Sequence, residues 1–168
     1  YIPEYGVNGK RRATLFHLLS HRGGIPRIDG EITPELLFDE KEILKRLCAA
    51  KPVSPSGTHL AYHAVTAGYI LGEVIKRVTG QSVREYLAEH IEKPMGLDYF
   101  NYGLKPEYRA DVAMNYATGM HPGLGTDRYL KHVLGAGLQT AVDITNDTRF
   151  MDIICPAGNI YTSAEQSG

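Results

Sequence analysis

Residues 55–96 read PSGTHLAYHAVTAGYILGEVIKRVTGQSVREYLAEHIEKPMG. Pro55 and Gly57 punctuate a loop over 53–61. Beyond it, Tyr69, Ile70, Val74 and Val78 recur near the helical period and predict a helix over Thr66–Thr79. Gly80 is its natural stop, because a residue without a Cβ enters the left-handed conformation that closes many helices. Ser82 and Glu85 stand three apart as a capping box and open a second helix, VREYLAEHIEK, which Pro94 and Gly96 end. Tyr62 lies between the turn and the first helix. A tyrosine held in a loop at a helix start is placed to present its phenol to a cleft.

The same punctuation extends outward. Thr14 precedes LFHLLSH and caps a short helix whose apolar face is Leu15, Leu18 and Leu19; Gly23 and Gly24 end it. Residues 28–38 are irregular, with a helical turn at Pro34. Asp39 and Glu42 form a capping-box-like pair before ILKRLCAA, with Ile43, Leu44 and Leu47 on the buried face. Residues 98–126, rich in glycine, proline and aromatics, read as a long ordered loop. Short helices follow at 127–134 and 140–146. Arg149–Cys155 is too short to assign, and Pro156 and Gly158 make a turn. Period-2 alternation extends nowhere beyond a few residues, so the chain reads as mainly helix and loop.

The totals narrow the class. A chain of 168 residues fits one domain and is long enough for a real core. Hydrophobic content of 43%, charged content of 22% and a net charge of −1 are those of an ordinary globular protein. They give no reason to expect nucleic acid or a membrane surface as partner. Lys10, Arg11 and Arg12, the one basic cluster, read as a solvated approach to a helix. Cys48 and Cys155 have no metal-ligand spacing, and Cys48 reads as a buried free thiol. No apolar run approaches the roughly 18 residues of a spanning helix.

HLLSHRGGIP (17–26), the turn–tyrosine–helix unit at 55–87 and EKPMGL (92–97) together resemble the serine β-lactamase and penicillin-binding-protein-like superfamily, and most of all its class C β-lactamase-like esterases, the family VIII type. PAGNIYTSAEQ (156–166) resembles a later stretch of the same family. The resemblance implies an α/β fold in which this chain is the helical lobe with its connecting loops. It implies an acyl-enzyme mechanism in which a serine of a Ser-x-x-Lys motif is acylated while a tyrosine and the lysine move its proton. Tyr62 matches that catalytic tyrosine. A phenol titrates near pH 10 and needs a neighbouring cation to act as a base at neutral pH. Ala64 stands where many β-lactamases have asparagine, which favours simple carboxylic esters over β-lactams. No metal or cofactor is implied, and the partner is a small ester or amide substrate.

The sequence also departs from the family. Ser20, Ser54, Ser56, Ser82, Ser163 and Ser167 are its serines, and none has a lysine three residues on. No late Lys-Thr-Gly motif or equivalent appears. The first residue is Tyr1. The expectation is a central fragment, residues 1–168 forming one partial domain, with most of the sheet contributed from elsewhere. Such a fragment would be inactive alone and would expose an apolar face, which favours self-association.

Other signals were weighed beside Tyr62. His17 and His21, four apart, suit zinc on one helical face, but no third ligand accompanies them. Ser56 lacks the glycines of a nucleophile elbow and reads as a turn serine. Asn159 is a weak substrate-binding candidate and equally a turn residue. Tyr99, Phe100, Tyr102, Tyr108 and Tyr116 are an aromatic wall or the packing of a long loop. The competing functions are a non-catalytic scaffold that keeps the lobe, a β-lactamase or D-Ala-D-Ala peptidase, and a small metal-binding helical protein.

Overall fold

The computed structural model describes residues 1–28, 33–119, 123, 125–126, 128 and 137–167. A 3₁₀ turn at Pro3–Gly6 leads to helix α1 (Leu15–Leu19), where Thr14 and His17 complete a capping box. A second 3₁₀ turn, Pro34–Phe38, precedes α2 (Glu40–Ala49), and α3 (Ala64–Thr79) is the long central helix.

The core forms between α2 and α3. Ile43 and Leu47 are 0% and 1% exposed on α2, while Leu44 is only partly covered. From α3 come Ala67, Tyr69 and Ile70, joined by Tyr5, Leu18, Ile25, Ile28 and Leu36. The helical stripe is thus shifted from the one expected, since Val78 is exposed near the C-terminal end of α3. The Tyr69 hydroxyl donates to Leu37 O (3.5 Å) and lies 3.8 Å from Cys155 Sγ. Burial pushes the pKa values of the Tyr69 phenol and the Cys155 thiol up, so both stay neutral. Cys48 and Cys155 are free thiols, and Cys48 is only partly buried.

Lys10 corrects the solvated reading of the basic cluster. Its side chain is 1% exposed, whereas Arg11 and Arg12 remain at the surface. The last carbonyls of a helix have no intrahelical donor and carry the negative end of its dipole. Lys10 Nζ meets that need at α2, donating to Cys48 O (3.0 Å) and to Ala50 O, and it lies 5.2 Å from the centre of the Tyr5 ring. Burial lowers the Lys10 pKa and pushes that of Tyr5 up to about 12.

Gly80 closes α3 at φ 76°, as expected, and Ser82 and Glu85 complete the second capping box. The helix after it does not run evenly. It passes from α4 (Val83–Leu87) through a π-type widening at Ala88–Glu92 into the turn α5 (Lys93–Met95). Pro94 has no N–H, and its ring crowds the carbonyl four residues back, so a regular ladder cannot pass it.

Residues 98–126, read as a loop, contain a strand. β1 (Phe100–Tyr102) pairs antiparallel with β2 (Ile160–Thr162) in the register Asn101 to Tyr161. These two strands are the sheet found among the described residues. Arg84 of α4 ties it down, donating to Tyr102 O (2.7 Å) and Asp152 O (2.9 Å). Its guanidinium fills the space a Cβ would need at Gly103, whose φ of 66° also suits glycine. Helices α6 (Leu138–Thr145), α7 (Thr148–Asp152) and α8 (Ala164–Ser167) complete the chain. The helix expected at 127–134 falls almost wholly outside the described residues. The described residues form a mainly helical lobe with one short strand pair.

Candidate active site

Two loops build the surroundings of Tyr62. Residues 21–24 leave α1, and residues 53–63 lead into α3. They run side by side, joined by Val53 N–H to Gly24 O, Gly57 N–H to Arg22 O and Ala61 N–H to His21 O, each 2.9 Å. Ser56 donates its hydroxyl to Gly23 O (3.2 Å), which makes it a structural turn residue. Tyr62 thus sits in the loop immediately before α3, which begins two residues earlier than the apolar spacing suggested.

Tyr62 and His63 are neighbours with opposite environments. His63 is 3% exposed, and its Nε2 accepts from Gly23 N–H (3.3 Å). A Cβ at Gly23 would meet Leu18 at 2.9 Å and the His63 ring at 3.1 Å, so any larger residue would have to push these side chains aside. Burial, then the neighbouring His21, lower the His63 pKa. A neutral ring that accepts at Nε2 carries its proton on Nδ1, an assignment made from the hydrogen bonds. That nitrogen faces Thr66 Oγ1 at 3.5 Å, and the threonine hydroxyl donates to Ile25 O (2.7 Å). The backbone N–H of His63 donates to His21 Nδ1 (3.3 Å). The Tyr62 side chain is 61% exposed, with its ring centre 4.8 Å from that of His21 at a 42° tilt.

Beside His21 lies an apolar groove lined by Leu19, Ala64, Gly68, Leu71, Tyr102 and Pro156, among others. Tyr62 flanks this groove through His21 and Ala64 without lining it. A second, larger cleft of about 720 Å³ is bordered by Tyr99, Tyr108, Asn159 and Tyr161. Tyr99 and Tyr108 pack ring to ring at 5.3 Å. Tyr102 faces the other groove, and Tyr116 is exposed, so the aromatic residues do not form one wall.

Asn159 borders the larger cleft but is 3% exposed, and its amide is engaged in the fold. Nδ2 donates to Phe150 O (2.8 Å) and Ile153 O (2.9 Å), while Oδ1 accepts from Cys155 N–H (2.9 Å). Both amide hydrogens hold the turn, in keeping with the turn-residue alternative. The structure also separates His17 from His21. α1 ends at Leu19, and His21 sits at φ 56°, so the two do not share a helical face. His17 Nδ1 accepts from Thr14 N–H (3.4 Å). No cluster of metal-ligating side chains occurs among the described residues.

What the sequence did not disclose is the link from Gly23 through His63 to His21. It joins positions about 40 residues apart, and no local pattern signals it. The HRGG string was the available hint, since a glycine beside a histidine permits close backbone approach.

Residues 1–167 match the Beta-lactamase family. The chain belongs to the beta-lactamase family. Over 106 residues it is 32% identical to the esterase/beta-lactamase LipL of Mycobacterium tuberculosis, a match covering 63% of this chain and 24% of that protein. A family VIII carboxylesterase superposes with a TM-score of 0.79 at 30% identity, over 94% of this chain and 42% of that one. A penicillin-binding protein homologue from Caulobacter crescentus gives a TM-score of 0.77 at 25% identity, over 96% and 43% respectively. The chain therefore spans about a quarter of the esterase's length and under half of each of these two solved family members. These neighbours bear out the helical lobe of a beta-lactamase-like fold.

Proposed function

We propose that the chain is the tyrosine-bearing lobe of a serine hydrolase of this family that cleaves carboxylic esters through an acyl-enzyme. The observation that carries the reading is the placement of Tyr62. It lies outside the core, in a loop anchored by backbone hydrogen bonds, at the head of the central helix. Its phenol is open to a reacting group, while its neighbour His63 is locked inside.

In this reading a Ser-x-x-Lys segment joined to these residues supplies nucleophile and lysine. The lysine cation favours the phenolate, which takes the serine proton as Oγ attacks the ester carbonyl. The phenol then returns the proton to the departing alkoxide, and water releases the acid in a second round. Ala64 favours esters over β-lactams, because no side-chain amide stands there to hold the lactam amide.

The test compares the chain with the complete hydrolase. The 168-residue chain should show no turnover of p-nitrophenyl acetate or nitrocefin and no labelling by a fluorophosphonate. In the complete hydrolase, Tyr62→Phe should lower kcat by roughly 10²–10⁴-fold, the range for losing an acid–base group. Stoichiometric labelling of a serine within these residues would overturn the assignment. A Tyr62→Phe enzyme with full activity would do so too.

A further inference from the structure

We propose that His21 is the positioning residue for Tyr62. The inference rests on the proton-handling role proposed for Tyr62 and deepens it. A tyrosine 61% exposed, with no hydrogen bond of its own among the described residues, has several staggered rotamers open to it. Its ring partner among the described residues is His21, at 4.8 Å between centres, within the usual range for paired rings.

His21 is itself tightly fixed. Its N–H donates to Leu18 O (3.1 Å), and its carbonyl accepts from Ala61 N–H (2.9 Å). Its backbone is left-handed, at φ 56°. Its Nδ1 accepts from His63 N–H (3.3 Å), and the buried His63 ring meets it edge-on at 5.2 Å. The order runs from Gly23 through the His63 ring and backbone to His21, and from there to Tyr62.

The test follows the ring resonances of Tyr62 by NMR in the 168-residue chain, assigned with Tyr62→Phe. They should be displaced from free tyrosine and show cross-peaks to His21. His21→Asn tolerates the left-handed backbone and keeps an acceptor but lacks the ring, so it should give the free position. Held resonances in His21→Asn would overturn the proposal. In the complete hydrolase, His21→Asn should lower kcat by on the order of 10²-fold, as for a misplaced group, with KM little changed. Should Tyr62→Phe leave kcat intact, the chemical role of Tyr62 fails, while the resonances still decide whether His21 holds it.

Discussion

The two halves of the chain are stabilised differently. Every member of the buried apolar cluster comes from residues 5–70 except Phe150 and Cys155. The later half is tied by polar contacts: Arg84 on the Tyr102 and Asp152 carbonyls, Asn101 on Glu92, and Asn159 across its own turn. Apolar burial is additive and non-directional, so the first half tolerates variation in detail. Buried hydrogen bonds are directional, and each lost partner leaves a group unsatisfied. The candidate site belongs to the first half, in its two anchored loops.

The largest expected effect tests the apolar half. Leu47→Ala should destabilise by about 2–5 kcal/mol, the range for a buried leucine cut to alanine. Urea unfolding followed by circular dichroism measures it, and a loss below about 1 kcal/mol would mean the lobe is not the folding core. Asn159→Ala probes the other half and should cost about 1–3 kcal/mol, since two carbonyls and one N–H lose their partner. A neutral result would show that the turn does not depend on this amide.

Gly68→Ala tests whether the halves are coupled. A Cβ at Gly68 would meet the Pro156 side chain at 2.8 Å and its carbonyl oxygen at 2.9 Å. In an unconstrained helix the change stabilises by about 1 kcal/mol. Here it should destabilise by about 1–3 kcal/mol through overpacking. A stabilised variant would show that the Pro156 turn can move off α3 freely.

The smallest effect is a slope. His63 has its pKa lowered from 6.5 by burial and by His21, so below that value the unfolded chain binds the proton more readily. Unfolding free energy should therefore rise with pH through the window from the depressed folded value up to 6.5. His63→Gln should flatten this slope relative to the wild-type chain. An unchanged slope would show that His63 is not the group responsible.

Much of the chain as far as α4 is legible in the sequence because its signals are local. The Thr14 cap, the Ser82 capping box, the Gly80 stop and the α2 stripe depend on residues within a few positions of one another. The position of Tyr62 ahead of α3 follows from the Gly57 turn and the apolar period. The family resemblance suggested the catalytic role proposed for Tyr62, and the absence of Ser-x-x-Lys from these residues was visible by inspection. The second half was less readable. Three-residue strands have no period to detect, and β1 finds its partner about 60 residues away.

What the tertiary structure alone decided is the environment of each polar residue. Lys10, in a basic triplet, is buried because the end of α2 arrives with unpaired carbonyls. Asn159 is turned inward by the carbonyls of Phe150 and Ile153. His63 and Tyr62, adjacent in sequence, part company because the glycine at position 23 admits one ring and the left-handed His21 supports the other. A residue's type and local pattern fix which helix it joins. Whether its polar atoms meet water or a partner depends on where folding sets that partner, about 40 residues away for Lys10 and His63 and only 6 to 9 residues back for Asn159, and no local pattern encodes that meeting.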